Sequence, residues 1–132
     1  MRFFASISEK SISEVESTFE PSTKHGADIR FHGAVRDSED EREISGIDYS
    51  FYEGMALQEL NRIGEVMAAD YPDHLAFVHH KVGFVAAGEA SIIIRVQTAH
   101  SAEGFDISRE YLRRIKETVP IWKKPVFVDE AP

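Results

Sequence analysis

Three isoleucines stand in a row at positions 92–94, inside an apolar run from Ala90 to Thr98. Successive strand residues point to opposite faces, so this run is expected to be a strand buried on both faces. Gly88-Glu89 precedes it as a turn. Weaker alternation marks further strands. Residues 2–8 alternate loosely, and Ala27, Ile29, Phe31, Gly33 and Val35 are apolar or small at every second position. Ile47, Tyr49 and Phe51 repeat the pattern, and residues 75–85 carry Ala76, Val78, His80 and Val82 on one side.

Between these strands the period changes to that of helices. Ser11 to Glu14 and Ser13 to Glu16 both have the form of a capping box, and Ile12, Val15 and Phe19 follow at helical spacing up to Pro21. Met55, Ala56, Leu60, Ile63, Val66 and Met67 form a stripe between Gly54 and Pro72, read as core rather than as a methionine-rich binding face. Residues 102–118 form the last long helix, with Phe105, Ser108, Leu112 and Ile115 on one face. Pro120 stops it, and Val119 before the proline is expected to be extended. Residues 125–128 are expected as a short terminal strand, with Trp122 anchoring the tail in the core. Residues 37–45 lack periodicity and read as an exposed, mobile loop. The order of elements, with strands in adjacent pairs, favours an α+β fold over a doubly wound sheet. With neither repeat nor linker, residues 1–132 are expected to form a single domain.

Composition narrows the chemistry. The chain has no cysteine, so a thiolate metal site and a cysteine nucleophile are excluded and any sulfur must be brought by another molecule. No apolar run of about 18 residues occurs, and the first ten residues lack a signal-peptide pattern. A cytoplasmic protein without a membrane partner is the resulting expectation. A net charge of −8 disfavours nucleic acid as a partner. That charge is uneven. Arg109, Arg113, Arg114, Lys116, Lys123 and Lys124 face only Glu110 and Glu117 over residues 107–124, which is either a solvated surface or a site for an anion.

Lys116 in the last helical turn and Lys123 beyond Pro120 would converge if the chain folds back. Burial and mutual repulsion would then tune them for nucleophilic or acid–base work. On spacing alone the plainer reading, a helix-dipole partner and a solvated lysine, is the favoured one. His79 and His80 are adjacent and so face opposite ways on a strand, and no carboxylate stands at ligand spacing, so no metal is expected. His100 lies between the buried strand and the helix, either a pocket residue or a cap.

The stretch L-R-R-I-K-E-T-V-P-I-W-K-K at residues 112–124 resembles the signature of the molybdopterin synthase large-subunit family. Four other segments agree in order. F-H-G-A-V-R at 31–36 resembles the family's F-x-G-x-x-R, and H-K-V-G at 80–83 with Gly88-Glu89 resembles its H-R-x-G and G-E/D pair. Thr98-Ala-His100 resembles its S-A-H, and residues 49–53 its L-x-Y-E strand. Together they cover residues 26–127.

The resemblance implies an α/β hammerhead with an additional antiparallel β subdomain. It implies a homodimer flanked by two copies of a small ubiquitin-like sulfur carrier, together a heterotetramer. The carrier's C-terminal Gly-Gly thiocarboxylate would deliver sulfur to cyclic pyranopterin monophosphate, making molybdopterin without any resident cofactor. Lys116 and Lys123 match the family's active-site lysines. Ala34, Val35, Arg36, His100, Ser101, Lys124 and Pro125 fall at its substrate-binding positions. Ser101 stands where the family carries arginine, Pro125 where an acidic residue is common, and the sequence stops at Pro132 before an Arg-Trp-bearing tail. The rival reading is a non-catalytic paralogue that binds a carrier or a small anion.

Overall fold

The structure, a computed structural model, describes residues 3–130. Arg2, expected in the first strand, lies outside them. The elements run β1 (Phe3–Ser8), α1 (Ile12–Glu16), β2 (Ala27–Ala34), β3 (Ser38–Glu39), β4 (Arg42–Phe51), α2 (Met55–Asp70), β5 (Leu75–Lys81), β6 (Gly83–Ala86), β7 (Ala90–Thr98), α3 (Ser101–Thr118) and β8 (Ile121–Phe127). A 3-10 turn, Val128–Glu130, follows.

The first sheet has the order β1-β5-β7-β2, with β1 parallel to β5 and the other pairs antiparallel. The isoleucine run is β7, a central strand, and every residue from Ser91 to Thr98 is buried. Ile92, Ile94 and Val96 face α2 and α3 in the main core, with Phe3, Ala76, Val78, Leu60, Ile63, Met67, Ile107 and Tyr111. Gly64 lets α2 approach this sheet closely, because a Cβ there would stand 2.3 Å from the Phe3 ring. The short helix α1 packs against β5 and β7. Of its two possible capping boxes the first is used: Glu14 N–H donates to Ser11 Oγ at 3.1 Å.

The second sheet is antiparallel, with β4 in the middle, β6 on one side, and β3 and β8 on the other. Val35, Ile44, Ile47, Tyr49, Val82 and Val85 form its own smaller core. The mixed α+β architecture expected from the strand order, with its additional antiparallel unit, is the one observed.

Five local expectations are corrected. Residues 38–43 are not a loop but a tight hairpin, in which Glu39 pairs with Arg42 across Asp40 and Glu41 at φ 52° and 63°. Two successive left-handed residues twist as a two-residue hairpin requires. The single strand expected over residues 75–85 is two strands in different sheets, and Gly83 at φ 81° makes the change of direction that a side chain would strain. The buried stripe of α3 is Gly104, Ile107, Ser108, Tyr111 and Ile115, which turns Phe105 out to 58 % exposure. The terminal strand is longer than expected and starts at Ile121, and Trp122 on it is exposed rather than buried.

The other face of the first sheet holds a charged clamp. Arg95 on β7 is buried and donates to both oxygens of Asp28 on β2, at 3.0 and 2.9 Å, and to the Glu20 carbonyl at 2.9 Å. Its guanidinium also lies 4.6 Å from the Phe19 ring centroid. Hydrogen bonding from Arg95, then from Arg30, outweighs the cost of burial and holds the Asp28 carboxyl down at about 2. A carboxyl depressed in the folded state stabilises the fold above its unfolded pKa and loses that contribution as pH falls through the folded value. Asp28→Asn is therefore expected to cost about 1–2 kcal/mol at pH 7. The gap between variant and parent should close as pH drops from about 4 to about 2. Urea unfolding across this range checks it, and a gap independent of pH would refute the assignment.

Candidate active site

Two elements meet where the two sheets join. The helix α3 ends at Val119, extended at φ −83° and ψ 123° before Pro120 as expected. The proline cannot continue the helix, and Tyr52 N–H fixes its carbonyl at 3.2 Å. The chain then runs back as β8 along β4, placing Lys123 opposite Tyr49. A cavity of about 620 Å³ opens there, at the seam between the two cores. Phe31, Gly33 and Ala34 of β2, Ile92 of β7, Leu112, Ile115 and Lys116 of α3, and Ile121 and Lys123 of β8 line it, together with Tyr49 and His80.

The two lysines thus converge on one cavity. Both are exposed, so the burial expected for them is absent. The neighbouring arginines are not free to share their task. Arg109 pairs with Asp106, Arg113 with Glu110 and Glu117, and Arg114 with Glu110 along the outer surface of α3. Neither Lys116 nor Lys123 has an ion-pair partner among the described residues. The basic stretch of the sequence is therefore a partly neutralised helix surface plus two lysines that line a cavity of mixed apolar and polar walls. Such a site suits an anionic ligand, because two neighbouring lysines beside apolar surface attract negative charge.

The motifs around the cavity have structural work. Lys81 pairs with Glu89 at 2.6 Å, and the Ala86 N–H also donates to that carboxylate at 3.1 Å. Val35 N–H donates to the Glu89 carbonyl at 2.9 Å, and Gly88 N–H to the Val35 carbonyl at 2.8 Å. The end of β2 is thereby fastened to the turn before β7, which sets Ala34 at the cavity rim. Gly33 has no room for a side chain, since a Cβ would lie 2.7 Å from Ile92 Cγ2.

Other residues expected at the site stand elsewhere within one chain. Val35 is buried in the small core. Arg36 is exposed and reaches Glu39 at 3.6 Å. Lys124 follows Lys123 on a strand and so faces the opposite side of the sheet, with Trp122, Val126 and Phe84. Pro125 is on the inner face of that edge strand, opposite Ile47, but does not line the cavity. His100 and Ser101 begin α3, and Lys116 is in its last turn, roughly 22 Å away at the helical rise. His100 is a cap by position, its carbonyl accepting from Thr98 Oγ1 at 2.7 Å.

His80 and Tyr49, read from the sequence only as a rejected metal ligand and as motif positions, also line the cavity. The signal for His80 was there: it occupies the third core-facing position of β5, after Ala76 and Val78, where the pattern calls for an apolar residue. Its neighbour His79 faces away, held by Ser6 Oγ at 2.7 Å and the Lys10 carbonyl at 3.0 Å. Among the described residues no group of side chains has the make-up of a metal site. None of the described helices is long and apolar enough to cross a membrane.

Comparison with known proteins identifies the family and the fold. The family model described as MoaE protein matches residues 6–118. Molybdopterin synthase catalytic subunit 1 of Aedes aegypti is 35 % identical over 106 residues, covering 79 % of this chain and 68 % of that protein. Molybdopterin synthase from Staphylococcus aureus superposes with a TM-score of 0.84 at 27 % identity, over 93 % of this chain and 90 % of that one. The fold is shared too, at 18 % identity and a TM-score of 0.74, with a protein–protein complex of subunits 1 and 2 of molybdopterin-converting factor from Helicobacter pylori, over 98 % and 92 % of the chains. The chain belongs to the MoaE family, that of the molybdopterin synthase catalytic subunits.

Proposed function

We propose that this chain is the sulfur-transferring subunit that converts cyclic pyranopterin monophosphate to molybdopterin. The observation that carries the reading is the convergence of Lys116 and Lys123, from two elements, on one cavity with apolar walls. A phosphorylated pterin and a carboxylate-like tail are both anionic, and both gain from fixed cations. The apolar walls at Phe31, Ile92 and Ile121 suit a flat heterocycle. With no cysteine in the chain, the sulfur would arrive on the C-terminal Gly-Gly thiocarboxylate of a small ubiquitin-like carrier. The assembly is a homodimer of this chain with two carriers. Lys116 and Lys123 stabilise developing negative charge and move protons, and Ala34 shapes the rim. His100 and Ser101 keep a substrate role only where a second copy of the chain sets them at the neighbouring cavity. Arg36, Lys124, Val35 and Pro125 act around the cavity rather than in it.

The test mixes the purified chain with thiocarboxylated carrier and pterin precursor and measures molybdopterin. Product is expected with the thiocarboxylated carrier and none with the same carrier ending in an ordinary carboxylate. A folded chain that binds carrier yet yields no product would be a non-catalytic paralogue.

A further inference from the structure

The cavity holds a third group able to move a proton. His80 is 8 % exposed and lines the same cavity as Lys116 and Lys123. Its Nδ1 lies 2.7 Å from the Lys81 carbonyl oxygen. A carbonyl only accepts, so Nδ1 carries the proton and Nε2 keeps its lone pair. Nε2 has no hydrogen-bond partner among the described residues. The Tyr49 ring, edge-on at 5.0 Å, holds the imidazole plane.

Burial and the nearest cation favour the neutral ring. Lys116 faces it from α3, Lys123 from β8 and Tyr49 from β4, with His32 at the β2 side of the cavity. Lys81 and His79 flank it on its own strand, and among the described residues no carboxylate lines the cavity. Burial first, then His79 and the Lys123 ammonium, push the imidazole down to about 4 against the pull of the Lys81 carbonyl. At neutral pH it is ready to accept a proton. An anionic ligand beside Lys123 offsets that cation and makes the ring more basic, so it is strengthened as a base when the site is loaded.

We propose that His80 Nε2 accepts a proton from the water that replaces sulfur on the carrier's terminal carbonyl carbon. This rests on the sulfur-transfer reading above. Atom balance requires the water. A thiocarboxylate that hands over its sulfur ends as a carboxylate, so once the sulfur is bonded to the acceptor carbon, a C–O bond must form and the C–S bond must break. The oxygen comes from water, and the C–S electron pair leaves on sulfur as a thiolate. One water proton goes to His80 Nε2 and then to the thiolate or to solvent. The other is lost when the new carboxylic acid ionises. No oxidant or reductant is consumed.

His80→Gln keeps much of the size but cannot take up a proton at this pH. The expected result is a fall of about 100-fold or more in the single-turnover rate of molybdopterin formation. Carrier affinity should change little, the acid limb of the pH–rate profile should vanish, and a carrier–pterin thioester should accumulate in the mass spectrum. Added imidazole should restore part of the rate to His80→Gly. A merely structural role would produce neither the lost limb nor the rescue. In the unmodified chain, nitrogen NMR of the histidines at pH 7 should show His80 neutral with the proton on Nδ1. Unchanged rate and acid limb in a folded His80→Gln would overturn the proposal while leaving the sulfur-transfer reading intact. A charged His80, or one protonated on Nε2, would overturn it as well. Should the parent chain make no molybdopterin with competent carrier, the sulfur-transfer reading falls, and this hydrolytic role of His80 falls with it.

Discussion

Lys116→Ala and Lys123→Ala are each expected to lower the rate of molybdopterin formation at saturating substrate by about two orders of magnitude or more. That loss corresponds to ~2.7 kcal/mol of transition-state stabilisation or above. The reason is positional. The two ammonium groups are the cations of the cavity, whereas the arginines of α3 are engaged with Glu110, Glu117 and Asp106. Both lysines are exposed and carry no ion pair among the described residues, so folding should survive their removal. Arginine at each position separates the roles, since it keeps the charge but not the shape. Lys123→Arg that keeps most activity marks an anion holder. Lys116→Arg as impaired as Lys116→Ala marks proton transfer or nucleophilic attack. Parent-like rates in both folded alanine variants would remove the lysines from the mechanism.

The largest expected effect on stability lies one and a half helical turns before Lys116. Tyr111 is fully buried and stacks on Phe3 with centroids 5.8 Å apart. Its hydroxyl donates to His74 Nε2 at 2.6 Å, and His74 Nδ1–H donates to the Tyr71 carbonyl at 2.5 Å. One side chain thereby joins α3 to β1 and to the turn after α2. Burial also pushes the phenol up, so it stays a neutral donor. Tyr111→Ala is expected to cost ~3–5 kcal/mol through lost contacts and the cavity left behind. This is a large share of the ~5–15 kcal/mol of a typical domain. Tyr111→Phe keeps the ring and loses the hydrogen bond, for about 1–2 kcal/mol. Urea unfolding followed by circular dichroism measures both. A loss below about 1 kcal/mol for Tyr111→Ala would mean that α3 and β1 repack without it.

Much of this architecture was legible because its signals are local. The isoleucine run could only be a strand covered on both faces, Ser11 and Glu14 sit at capping-box spacing, and Pro120 cannot lie inside a helix. The lysine pair was legible only as a candidate, since the helix stop at Pro120 allows a fold-back but does not dictate it, and the family resemblance singled the two out. Where the signal was not local, reading failed. Residues 75–85 alternate straight through Gly83, and nothing in that alternation says that the first half pairs with β7 and the second with β4. The hairpin at Asp40 and Glu41 lacks the usual Asn-Gly, so its left-handed turn left no mark in the sequence.

The sequence by itself determined the α+β composition, the stops and caps of the helices, and the two lysines as candidates, because propensity, periodicity and proline sterics act within a few residues. The tertiary structure alone decided who meets whom. Pairing of β8 with β4 sends Lys123 inward and Lys124 outward, the length of α3 removes His100 from the lysine end, and Ile92 beside His80 on the next strand turns a core position into a cavity wall. These are contacts between residues far apart in the chain, set by the burial of two sheets against each other, and no short-range pattern encodes them.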